Sequence, residues 1–224
     1  SNTDSPRKKE DDTWGDPQSP VVLSPLMRGR PLGYVLQDTK HSVVISNRVG
    51  CDVNPISIDT EQGRGRILSF MWPDQHQRYR NTEKAVAIAV DEVAGKVERA
   101  SAAAWLKEQL AKRRKGVITV IYHSIVFQYF PKAEKEEMTR LIEHAGEGAD
   151  AASPLVWVRF EADDSKAEEG GALTLRAWPA LPAAQEEAAT TTTTTAAAAA
   201  AAGAEVLLAR ADWHGRWIDW RHGG

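Results

Sequence analysis

The segment "GVITVIYHSIVFQYF", residues 116–130, constrains the fold more than any other stretch of this chain. Val117 to Tyr122 is a near-continuous, β-branched apolar run, the pattern of a strand buried on both faces of a parallel sheet. Such a central strand needs helices beside it, and the flanking sequence supplies them. Upstream, Ser101 stands before "AAAWLKEQLAKRRK", where Trp105, Leu106 and Leu110 share one helical face and Gly116 ends the element. The basic run Lys112 to Lys115 suits the negative end of that helix, which explains it without a phosphate ligand. Downstream, Pro131 opens a helix with Met138, Leu141, Ile142 and Ala145 as its inner stripe and Glu134, Glu136 and Glu137 near its positive end.

The rest of the chain extends this alternation. Val21–Leu23 and Tyr34–Leu36 read as short strands around the turn-rich "SPLMRGRPLG", and Val43–Ile45 as a third that leads into "RVGCDVNPISI", residues 48–58. Ala85, Val86, Ala89, Val90 and Val93 give a helix from Glu83 to about Val93, and Lys96–Arg99 a short strand. "PLVWVRFEA", "ALTLRAWP" and "EVLLARADWHGRWIDW" follow as three strands without a helical pattern between them. Strands with helices, then strands without, predict an α/β sheet, mostly parallel, that finishes in a C-terminal antiparallel hairpin.

In "DWHGRWIDW", alternation sets Trp213 and Trp217 on one face and His214, Arg216, Ile218 and Trp220 on the other, with Gly215 a bulge or close-approach point. Together with Trp157 and Trp178 this predicts an aromatic-rich surface that meets an upstream portion of the parent protein or a partner chain. The opening "SN" reads as a cloning remnant, which makes the chain a piece of a longer protein. Residues 1–19, polar and holding Trp14 as their one large apolar side chain, form a flexible lead-in. Residues 20–224 form a single α/β domain, interrupted at about 180–203 by the low-complexity "ALPAAQEEAATTTTTTAAAAAAAG".

Composition removes several function classes. The chain has 224 residues, 42% hydrophobic and 26% charged, with a formal net charge of −3, so no global field attracts polyanions and no nucleic-acid partner is expected. No apolar run approaches the roughly 20 residues that cross a bilayer, so no membrane partner is expected. The single cysteine, Cys51, excludes an intrachain disulfide and a paired-cysteine metal site, which fits a cytoplasmic protein without a metal.

"VGCDVNPI", "SFMWPDQ", "VERASAAAWL", "VIYHSIVFQYF" and "LLARADWHGRWIDW" resemble a family of uncharacterised bacterial proteins of unknown function over roughly residues 14–220. The order of elements is similar to the C-terminal two-thirds of a class I S-adenosylmethionine-dependent methyltransferase, which implies a three-layer, Rossmann-type sheet. No strand, glycine-rich loop and helix precede Gly50, so the first β-α unit of such a sheet is absent. The resemblance implies S-adenosylmethionine as cofactor, with Asp52 at the end of the second strand holding the ribose, Asn54 beside it, and Ser101 where the pattern has an Asp next to the adenine. It places His123 and Ser124 at the end of the fourth strand, facing substrate.

Each of these residues also has a plainer reading. Asp52 and Asn54 before Pro55 make a turn through side-chain to backbone hydrogen bonds; they form a ligand site at a strand end if the sheet is doubly wound. His123 and Ser124 are adjacent, so on a strand they point to opposite faces and cannot act together as base and nucleophile. His123 is then a general base or substrate contact with Ser124 and Gln128 as partners, or a satisfied, half-buried imidazole. In "FMWPDQHQRYR", Trp72 and Asp74 line a pocket for a small-molecule ligand, or Pro73 and Asp74 form the turn that starts the next helix. Two functions follow: a methyltransferase, or a non-catalytic binding or assembly module that keeps the fold without cofactor chemistry.

Overall fold

A computed structural model of the chain describes residues 15–29, 44–92, 97–165, 169–180 and 201–221. The expected strand at Tyr34–Leu36, most of the lead-in and most of the Thr/Ala segment lie outside the described residues. The chain divides into two compact units, one of Ser1–Ser24 with Arg30–Ser101 and the other of Pro25–Gly29 with Ala102–Gly224.

The first unit holds a two-stranded parallel sheet, β2 (Gly50–Asp52) on β3 (Val97–Arg99), with α1 (Glu61–Leu68) and α2 (His76–Glu92) between them in sequence. The strand that sequence patterning set at Val43–Ile45 falls instead on "GCD" itself, and residues 44 and 45 have no regular structure. Helix α1 has no sequence periodicity to announce it, since "EQGRGRIL" carries two glycines. Its start is nevertheless encoded: the Thr60 side chain accepts a hydrogen bond from the Gly63 amide, a local N-cap. Gly63 is also required by space, because a Cβ there would fall 1.7 Å from the Ser57 carbonyl oxygen. Helix α2 starts seven residues before Glu83, directly after the turn at Pro73 and Asp74.

The second unit is a mixed α/β fold. Its six-stranded sheet runs β1 (Leu26–Gly29), β8 (Trp217–Trp220), β7 (Val206–Ala211), β6 (Gly171–Trp178), β5 (Leu155–Glu161), β4 (Thr119–Ser124). The end pairs β1–β8 and β4–β5 are parallel, and the pairings from β5 to β8 are antiparallel, so the antiparallel part extends well beyond a final hairpin. Strand β1 lies in the segment that sequence reading took as a turn-rich connection, while Val21–Leu23 forms no strand.

"EVLLARADWHGRWIDW" is two strands rather than one. The Asp212 carboxylate accepts from the amides of His214 and Arg216 and pairs with the Arg216 guanidinium at 2.7 Å, and Gly215 turns at φ +73°. Those bonds stabilise a tight reversal where alternation alone continues a strand.

Strand β4 is also placed differently from its expected central position. It ends the sheet among the described residues, and its side chains alternate: Thr119, Ile121 and His123 turn inward, while Val120 and Tyr122 are 57% and 63% exposed. A β-branched run is compatible with either placement, because it reports strand propensity as well as burial.

The core lies on the inward face. Helices α3 (Ala102–Ala111) and α4 (Lys132–Glu147) pack on each other, and Leu106, Met138 and Ile142 close over Leu155, Trp157 and Trp178. Trp105, Leu110 and Ala145 join this cluster, as the helical stripes predict. Trp157 and Trp178 are therefore the centre of the core, not part of an aromatic surface: they are 1% and 6% exposed. Arg113 ties the far end together, donating to the Ala145 carbonyl at 2.7 Å and to the Ser153 carbonyl. Part of the basic run thus caps α4 rather than its own helix.

Room for Trp178 comes from two glycines. A Cβ on Gly146 or on Gly203 would lie 2.5 Å from the indole. Gly146→Ala is expected to lower stability by about 1–3 kcal/mol through overpacking, although alanine is the better helix former. Urea unfolding of the two proteins measures this; an unchanged or raised midpoint shows that the indole does not depend on the missing Cβ.

Candidate functional site

The register of β4 against β5 sorts side chains along the inward face. Ile121 pairs with Trp157 and His123 with Arg159, so the apolar rows lie under the helices and the polar rows gather at the carboxyl end of β4. There His123 and Glu161 meet, with side chains 9% and 13% exposed and Nδ1 2.6 Å from Oε1. The indole Nε1–H of Trp157 donates to the other ring nitrogen, Nε2, at 3.1 Å. An indole can only donate, so Nε2 carries the lone pair and Nδ1 the proton: His123 is a neutral imidazole with both nitrogens engaged.

One oxygen of the Glu161 carboxylate is correspondingly occupied, while Oε2 is buried with no hydrogen-bond partner among the described residues. Oε1 accepts from His123 and from the amides of Val126 and Phe127, each at 3.2 Å, where the chain enters a 3₁₀ turn at Phe127–Tyr129. The Phe127 ring stacks on the imidazole at 5.1 Å, 15° from parallel. Burial holds the His123 pKa below its ordinary value, against the opposing hydrogen bond and charge of Glu161, and the nearby Arg159 guanidinium adds to the lowering. Arg159 is itself paired with Glu205 and lies over the Trp157 ring at 4.7 Å.

Ser124 is on the opposite, exposed face of β4, so it and His123 do not meet. Gln128 is exposed in the 3₁₀ turn, and its carbonyl accepts from Lys135 at 3.5 Å. Neither reaches the imidazole nitrogens, which Trp157 and Glu161 fill.

The remaining candidates fall in the first unit. Asp52 is the last residue of β2, and its Oδ1 accepts from the Asn54 amide at 2.7 Å. The turn reading holds: the motif follows a short parallel strand and closes as an Asx turn. Asp52 and His123 belong to different sheets, so the two do not share the rim of one sheet. Ser101 stands before α3, and the Ala103 amide donates to Glu134 of α4.

Trp72 is 69% exposed and lines an open groove of about 530 Å³ between α1 and α2, with Gly65, Leu68, Met71, His76 and Tyr79. Asp74 is exposed in the turn ahead of α2. A Cβ on Gly65 would meet nothing within 4 Å, so the space beside it is open. Sequence reading missed Glu161 and Trp157 as the partners of His123. Their signal was present, in that both lie at odd positions of "LVWVRFE" and so share the face of an adjacent strand.

Other charged groups are used in pairing. Arg210 donates to both carboxylate oxygens of Asp163 and holds that carboxyl well below the usual range. Among the described residues no cluster of His, Cys, Asp and Glu is arranged to hold a metal ion, and no helix is long and apolar enough to cross a membrane.

A family model described as "Uncharacterized protein conserved in bacteria (DUF2332)" matches residues 7–220. The chain is a member of that bacterial family. No curated protein and no solved structure matches it.

Glu161→Ala is expected to cost about 2–4 kcal/mol, because the His123 Nδ1–H and the two turn amides lose their acceptor together. Glu161→Gln, which keeps a carbonyl oxygen, is expected to lose less than half of that. Denaturant unfolding of both variants checks the order, and equal losses show that the carboxyl oxygen is not the shared acceptor.

Proposed function

We propose that this chain is a non-catalytic binding module whose small-molecule ligand enters the groove between α1 and α2. The observation that carries this reading is the state of His123: a neutral imidazole with one nitrogen taken by an indole N–H and the other by a buried carboxylate has no lone pair to offer a substrate. A general base requires that lone pair. The groove supports the choice of site, because its volume falls in the range of ligand pockets and Trp72 and Tyr79 supply exposed aromatic area. Among the described residues its lining has no carboxylate, lysine or arginine, which favours neutral, planar ligands.

Indole, a minimal neutral aromatic probe, is expected to bind in ligand-observed NMR, and Trp72→Ala to weaken it roughly two- to tenfold. Binding that is unaffected by Trp72→Ala removes the groove from consideration.

A second reading, a methyltransferase-like fold using S-adenosylmethionine, is favoured by one observation: Asp52 ends a parallel strand with its side chain exposed. There the carboxylate would hold a ribose diol, with Asn54 and Ser101 as further contacts. Thermal unfolding with S-adenosylhomocysteine separates the two readings. A bound cofactor at a hundred times its dissociation constant stabilises by about 2.7 kcal/mol. The binding-module reading expects no shift, whereas a shift that Asp52→Ala abolishes overturns it in favour of the second.

A further inference from the structure

We propose that the turn after β4 is a latch, held shut by the neutral form of His123 and released when that imidazole takes up a proton. The turn is strained. Ile125, a β-branched residue, sits at φ +50°, in the left-handed region, an arrangement that costs about 1–3 kcal/mol and persists only where its surroundings enforce it. Three backbone amides provide that enforcement. Ile125 N–H donates to the Phe160 carbonyl at 2.8 Å, and the next two, of Val126 and Phe127, both donate to Glu161 Oε1.

Glu161 is in turn held by the His123 Nδ1–H at 2.6 Å, and His123 is held by Trp157. Trp157 is 1% exposed and packed among Leu106, Met138, Ile142 and Leu155 in the core. A proton on Nε2 places an N–H against the indole N–H 3.1 Å away, so a hydrogen bond is replaced by two opposed donors. The charges around the ring decide where it goes. Glu161 of β5 attracts the imidazolium; Arg159 of β5, Arg176 of β6 at 5.6 Å over the Trp157 ring, and Lys135 of α4 at 5.8 Å over the Phe127 ring oppose it. The opposed donors drive the ring, still paired with Glu161, off the indole; its stack on Phe127 breaks, Glu161 is drawn off the turn amides, and the Ile125 backbone relaxes.

The direction of the histidine shift agrees with this. Its pKa is lowered mainly by burial, so the closed turn favours the neutral ring. The contribution of the closed state is complete above about pH 6.5, the ordinary histidine value, and is lost as the pH falls below it.

Hydrogen exchange of the full chain, followed residue by residue, tests the latch. Between about pH 7.5 and about pH 5, protection of the Val126 and Phe127 amides is expected to fall about tenfold, in step with the His123 imidazole nitrogen shifts. Amides of Ile142 and Leu155 should keep their protection, which separates opening of the turn from global unfolding. His123→Gln places an amide N–H toward Glu161 and a carbonyl toward Trp157 without titrating, and should flatten the pH dependence. Constant protection in the parent chain, a fall that does not track the imidazole, or the same fall in the glutamine variant overturns the proposal.

Discussion

The Trp157 indole N–H is buried and paired, and much of the second unit follows from the acceptor it takes. Trp157 is one of two tryptophans at the centre of the core and sits where a backbone carbonyl is already committed to the sheet. The imidazole one strand away supplies the lone pair, which fixes its tautomer and aims its other nitrogen at Glu161. Glu161 then gathers two amides of the following turn. Core packing, protonation state and loop geometry are thus three consequences of one donor.

This chain of dependence shapes how the end of β4 is read for function. Polar residues at the carboxyl end of a parallel strand usually suggest chemistry, and the sequence around His123 has that look. Here both imidazole nitrogens and one Glu161 oxygen are engaged internally. The groove between α1 and α2 is the reverse case, an ordinary loop and two helices whose aromatic side chains remain available to solvent.

How much of this was legible in the sequence depended on the range of the interaction responsible. The helices α3 and α4 and their inner stripes were legible, because a 3.6-residue period is a local record of which face is buried. The position of β4 was not, since a β-branched apolar run looks the same at the centre and at the edge of a sheet. The hairpin at Asp212 was hidden because a single carboxylate bonding two amides and a guanidinium overrides the alternation around it. The Asp52 turn was legible from its Asx chemistry before a proline, while the partners of His123, which lie 34 and 38 residues away, depended on a strand register that patterning does not supply. Helix α1 was legible only through Thr60, its cap.

The grip on Trp178 carries a lesson about substitution. Gly146 and Gly203 come from a helix and a loop far apart in sequence, yet each leaves out a side chain for the benefit of the same indole. The three positions form one volume-matched set, so their tolerances are conditional on each other. A smaller residue at 178 would open a void that a larger one at 146 or 203 could occupy. The chain has accordingly given up independent choice at three sites for a single large ring between helix and sheet.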